Sequence, residues 1–202
     1  MAIYVPSHKI CFIHNPKTGG SSIQHWLFEN TDCIQPKKTL HCNIRTAMSY
    51  FPDIKLSFVV VRNPWDWCVS WYCYQKKRAT ERIQFIKDNP NNLDLRKEKY
   101  NLTIQQDTLK YLDLGFEHCL ENATHSNQFT YTQNVNLILK FENLKNDFQK
   151  IQNILNIFKP LPYLNSTPRV NYKTYHNART IKLVYNKYYD DINKFGYKYE
   201  TP

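Results

Sequence analysis

Three short apolar runs stand out against an otherwise polar, aromatic-rich chain: Ile10-Cys11-Phe12-Ile13, Ser57-Phe58-Val59-Val60-Val61 and Leu137-Ile138-Leu139-Lys140-Phe141. Each is too short for a buried helix and is rich in β-branched or aromatic residues, so each predicts a buried strand. Apolar residues at helical spacing follow every run. Ile23, Trp26 and Leu27 follow the first, with Ser21 and Ser22 offered as N-caps. After the second, Asn63 is offered as N-cap and Pro64 as the first helical residue of a helix that continues through Trp67, Val69, Ser70 and Tyr74. Asp66 then falls in the first turn, where a carboxylate suits the helix dipole. After the third run, Leu144, Phe148, Ile151, Leu155 and Phe158 predict one amphipathic helix ended by Pro160 and Pro162. A last helix carries Ile181, Val184, Tyr185, Tyr188 and Ile192 and closes near Gly196, and a short one is expected over residues 43–50.

Strands alternating with helices predict an α/β domain around a central parallel sheet flanked by helices, in a P-loop-like three-layer arrangement. At 202 residues the chain suits one domain. Residues 75–127 are polar and weakly periodic and form an expected excursion of helices and loops, the natural place for an acceptor to bind.

Charge adds little direction. Lys and Arg exceed Asp and Glu by 10, which draws anions without choosing among nucleotide, nucleic acid or sulfated glycan. The six cysteines show no zinc-type spacing, and no apolar run is long enough to cross a bilayer, so a soluble, cytoplasmic protein with reduced thiols and no membrane anchor is expected. The triplets at Asn101, Asn122 and Asn165 matter only in a secretory pathway.

Candidate chemistry lies where the first strand runs into His14-Asn15-Pro16-Lys17-Thr18-Gly19-Gly20-Ser21-Ser22, which holds two of the chain's four glycines. A glycine loop between a buried strand and a helix N-terminus presents free amides and a positive dipole end to an anion. Lys17 adds a point charge, Thr18, Ser21 and Ser22 add hydroxyls, and Gly19 and Gly20 allow close approach. The order is wrong for an ATP- or GTP-binding loop, which needs Lys directly before the metal-binding hydroxyl. The second strand, moreover, leads to Arg62 rather than to a metal-holding carboxylate.

The run from His14 to Ser22 resembles the 5′-phosphosulfate loop of the sulfotransferase superfamily, in the branch containing heparan sulfate 2-O-sulfotransferase and related carbohydrate sulfotransferases. Val61-Arg62-Asn63-Pro64-Trp65-Asp66 with Ser70-Trp71-Tyr72 resembles the 3′-phosphate motif of the same family, and the likeness continues in Phe141-Glu142-Asn143-Leu144, Leu161-Pro162-Tyr163-Leu164-Asn165 and Asp191–Tyr197. The resemblance implies a transferase that moves the sulfuryl group of PAPS (3′-phosphoadenosine 5′-phosphosulfate) to a hydroxyl, with a carbohydrate as the implied acceptor. Lys17, Thr18, Gly19, Gly20, Ser21 and Ser22 would hold the 5′ end, Arg62 and Ser70 the 3′-phosphate, and Lys17 would also steady the leaving group. No metal is expected. Among the histidines, His41 matches the family's base, His14 is read as shaping the loop, and His25 as a surface or packing residue.

Two other readings stay open: a non-catalytic nucleotide- or nucleic-acid-binding domain, and a P-loop-type kinase. The run Trp71–Arg78 interleaves aromatics with basic residues as a base-stacking surface would, although it continues a predicted helix whose aromatics belong to a core, and no nucleic-acid partner is expected. Asp190–Asp191, Tyr172 and Tyr175 are open to covering a base or to packing.

Overall fold

A computed structural model describes residues 2–36, 42–89, 99, 101–164 and 167–199. His41, Asn165 and residues 90–98 and 100 of the excursion lie outside them. Contacts divide the chain into two compact units: residues 1–64, 126–166 and 190–198, and residues 65–125, 167–189 and 199–202.

The first unit holds the whole sheet, in the order β1 (Ala2–Val5), β2 (Ile10–Ile13), β3 (Leu56–Val61), β4 (Leu137–Lys140). β2, β3 and β4 are parallel, with Phe12 opposite Phe58 and Val59 opposite Ile138. β1 runs antiparallel to β2, so the sheet is mixed rather than wholly parallel. Pro6 ends β1 after four residues, and a turn closing on Lys9 in the left-handed region (φ 55°) folds it back beside β2.

Side chains alternate across the strands and build two cores. Ile3, Val5, Ile10, Phe12, Phe58, Val60 and Leu139 face one way, against α1 (Gly20–Asn30) through Ile23, Trp26 and Leu27. Phe148, Ile151 and Leu155 join the same core. Ala2, Tyr4, Cys11, Ile13 and Val59 face the other way, with Ile44 and Ala47 of α2 (Ile44–Tyr50) and Tyr131 of α6 (Phe129–Thr132). This unit is therefore helix, sheet, helix. Asn43 caps α2, its side chain accepting from the Thr46 amide.

The helix expected after β4 is broken. A turn leads into α7 (Leu144–Asp147) and α8 (Gln149–Leu155), and Asn156 then takes a left-handed conformation (φ 55°). The indole N–H of Trp26 and the Gln152 amide both donate to the carbonyl of Lys159, so the chain turns away and Phe158, expected on the buried face, is 70% exposed. α10 (Tyr189–Phe195) completes the unit.

The second unit is helical. α3 (Pro64–Asp88) starts at the expected proline and runs 25 residues, so the first part of the expected excursion is regular helix. α4 (Leu102–Asp113), capped by Asn101, α5 (Phe116–Glu121) and α9 (Ala178–Lys187) accompany it. Trp67 packs edge-on against Tyr188 at 5.5 Å between ring centroids, and Asp66 pairs with Arg169. The last helix expected from sequence is split at Tyr188 into α9 and α10.

Candidate functional site

β2 delivers the chain into a loop held from beneath by Asn15, which is fully buried. Its amide donates at 3.0 Å to the carbonyl of Val60 in β3 and at 3.0 Å to Oε1 of Gln128. Gln128 also accepts from the Arg62 amide (2.9 Å) and donates to the Arg62 carbonyl (2.7 Å), which locks the exits of the two parallel strands together. Asp191 in turn holds the amides of Gln128 and Phe129 at 2.8 and 2.7 Å. Burial pushes the Asp191 carboxyl up to about 6 against the opposing pull of those two N–H groups. Asp191 is therefore a packing and capping residue.

Lys17 adopts a left-handed backbone (φ 64°), and Gly19 does so too (φ 82°). Gly19, not Ser21 or Ser22, is the N-cap of α1, and no side chain caps it. The physical reason lies in two close approaches. A Cβ on Gly19 would come within 2.9 Å of Leu144, and one on Gly20 would sit 2.1 Å from the His14 ring, so the helix starts where the chain has no side chains. The Ser22 and Ile23 amides both bond to the Gly19 carbonyl. The amides of Thr18, Gly19, Gly20 and Ser21 meet no backbone acceptor among the described residues. An uncapped end of an 11-residue helix is an anion-binding arrangement.

The hydroxyls divide. Thr18 is fully buried and donates to the Asn15 carbonyl at 2.7 Å, so its amide is what it can offer an anion. Ser22 accepts from the Leu164 amide at 3.0 Å and keeps its own O–H as a donor. Ser21 is half-buried at the first turn, and its hydroxyl makes no hydrogen bond among the described residues.

Arg62, which follows β3, reaches the loop itself. Its Nη1 donates to the Lys17 carbonyl at 2.9 Å while its guanidinium lies 4.0 Å over the Phe141 ring. Its neighbour Asn63 donates its amide to Glu142 at 2.6 Å, and Glu142 also accepts from the Tyr197 hydroxyl at 3.0 Å. Burial, and next the Glu142 carboxylate, raise the Tyr197 phenol far above its ordinary range. The two expected anion-binding segments are thus brought together through one cation and one carbonyl.

Ser70 belongs to the second unit, buried on α3. His41 lies outside the described residues. His14 stacks on Phe12 (5.9 Å, 23°) and fills the space over Gly20, while His25 is exposed on α1. Tyr172 and Tyr175 pack within the second unit, Tyr175 edge-on to Tyr72 and Phe116. Gln128 and Glu142 are the structural partners of the site that sequence reasoning did not single out. Glu142 lies in a segment flagged by the resemblance, whereas Gln128 carries no sequence signal.

No disulfide is formed among the described residues, and Cys11, Cys42 and Cys68 are buried. No helix of the described residues is long and apolar enough to cross a membrane. Comparison with protein-family models, with curated proteins and with solved structures returns no match.

Proposed function

We propose that the protein is a sulfotransferase that uses PAPS as donor and a hydroxyl, in the first instance a carbohydrate hydroxyl, as acceptor. The observation that carries this reading is the uncapped end of α1, with its four available amides, beside Lys17 and Arg62. In this reading the strand–loop–helix unit is of the P-loop-like kind without the metal-binding residue order of that class. Thr18, Gly19, Gly20 and Ser21 offer backbone N–H groups to the 5′-phosphosulfate, and Ser21 and Ser22 add O–H donors. Lys17 meets the negative charge that grows on the leaving 5′-phosphate as the bond from sulfur to the bridging oxygen breaks. Arg62, oriented by Phe141 and the Lys17 carbonyl, supplies the cation for the 3′-phosphate. The part of Ser70 in that phosphate site and the part of His41 as the base rest on the sequence resemblance alone. As the acceptor oxygen bonds to sulfur, its proton passes to the base.

The aromatic–basic run does not favour nucleic acid. Trp71 packs on Trp67 and His125, and Tyr72 on Phe116 and Tyr175, so these half-buried rings are engaged with other rings of the second unit. Transfer from labelled PAPS to a panel of glycans, phenols and peptides, repeated with His41→Ala, tests the activity. Transfer to none of them, or full turnover by the variant, respectively overturns the reaction or the base.

A further inference from the structure

The second unit holds a half-open cavity of about 230 Å³ that the proposed donor site does not use. α3, α4 and α5 wall it with Trp71, Tyr72, Tyr111 and Phe116, and His125 and Tyr188 complete the lining. An apolar protein cavity of about 150 Å³ accepts benzene, so this one has room for one or two fused rings. Its aromatic faces suit a planar guest.

The lining carries no charge. It contains no Lys, Arg, Asp or Glu. Burial raises the Tyr72 phenol and the Cys119 thiol and lowers the His125 imidazole, so all three are held in their uncharged forms. Two cations stand outside the lining and have partners of their own. Lys76 pairs with Asp113 at 2.8 Å, and Lys187 donates to the carbonyls of Leu120 and Ala123. The charge of Lys187 also lowers the His125 pKa, a field that works against a cationic guest. An anionic guest would leave water without gaining a counter-charge from the wall.

Most polar groups of the lining are spent on the backbone. Tyr72, Thr108 and Asn122 donate to the carbonyls of Leu112, Ile104 and His118. His125 differs. Its ring is half-buried and tilted on Trp71 at 4.6 Å, and neither of its nitrogens has a hydrogen-bond partner among the described residues. A neutral imidazole keeps one N–H donor and one acceptor nitrogen, which matches the donor and acceptor of a single hydroxyl.

We infer that this cavity binds an uncharged one- or two-ring aromatic alcohol, with its rings among Trp71, Tyr72 and Phe116 and its hydroxyl toward His125. The site is independent of the nucleotide loop and stands whether or not the protein transfers sulfuryl groups.

Calorimetric titration of the intact protein with 2-naphthalenemethanol tests this, with 2-naphthoate and 2-naphthylmethylammonium as the anionic and cationic counterparts on the same rings. Saturable one-site binding of the alcohol is expected, and binding of each ion should be weaker by roughly tenfold or more, since a charge is buried without compensation. His125→Phe keeps a ring in place but removes the hydrogen bond, and should weaken the alcohol by about threefold or more. Ala123→Trp fills the cavity and should abolish binding. Absence of binding to the wild type, an ion that binds as tightly as the alcohol, or unchanged affinity in His125→Phe overturns the inference. Full affinity in an Ala123→Trp protein with wild-type circular dichroism does the same. If Ala123→Trp fails to fold, the comparison of alcohol and ions on the wild type decides.

Discussion

Substituting Gly20 by alanine probes the packing that leaves the anion loop open. The backbone of Gly20 is helical and does not itself forbid a side chain, so the cost must come from the neighbour. The added methyl would stand 2.1 Å from Cδ2 and Nε2 of His14 and 2.9 Å from Cε1. Ordinary contact requires the ring to retreat by more than about 1 Å, against its stacking on Phe12. Overpacking of this kind costs about 1–3 kcal/mol, while alanine gains up to about 1 kcal/mol over glycine in a helix. The expected net loss is about 1–2 kcal/mol. In a His14→Ala background the clash is gone, and the same substitution should be neutral or stabilising by up to about 1 kcal/mol. The coupling between the two sites is then about 2 kcal/mol, readable from a double-mutant cycle of urea melts. Gly20→Ala costing the same in both backgrounds, or nothing in the wild type, would refute the claim that His14 dictates this glycine.

Two further substitutions test the frame beneath the loop. Gln128→Ala removes two accepted and one donated hydrogen bond and leaves the buried Asn15 amide and the Arg62 backbone short of partners, so a loss of about 2–4 kcal/mol is expected in chemical denaturation. Asp191 carries a pH signature. Its folded pKa, about 6, lies above the unfolded carboxyl value, so the native state holds a proton that the unfolded state has released as pH climbs between the two. The stability of the wild type relative to Asp191→Asn should therefore fall from pH 4 to pH 7, by roughly 1–3 kcal/mol. A difference that stays flat across this range would remove the buried-carboxyl assignment.

The three parallel strands were legible because their apolar runs are continuous and bounded by polar or turn-forming residues. β1 was not, because four residues ending at a proline give no periodicity to read. At the loop the order strand, turn, helix was legible, but the tasks of its side chains were set by partners distant in sequence. Propensity favoured Ser21 and Ser22 as caps, yet the tight approaches of Leu144 and the His14 ring fix the helix start at Gly20. Ser22 accepts from an amide 142 residues away, and Gln128 joins Asn15 across 113 residues. Such partners leave no local pattern. Phe158 failed for the opposite reason, since the pattern was present but a left-handed residue ended the helix before it.

In the proposed function the uncapped end of α1, with Lys17 and Arg62, binds the donor nucleotide. Lys17→Gly tests it with little structural disturbance, because glycine accepts the left-handed backbone of this position and the Arg62 contact is to the Lys17 carbonyl, which remains. Calorimetry with adenosine 3′,5′-bisphosphate should show binding by the wild type, at least tenfold weaker binding by Lys17→Gly, and denaturation midpoints that are nearly the same. No binding by the wild type, or equal affinity in the two proteins, would overturn the assignment of this loop to the donor.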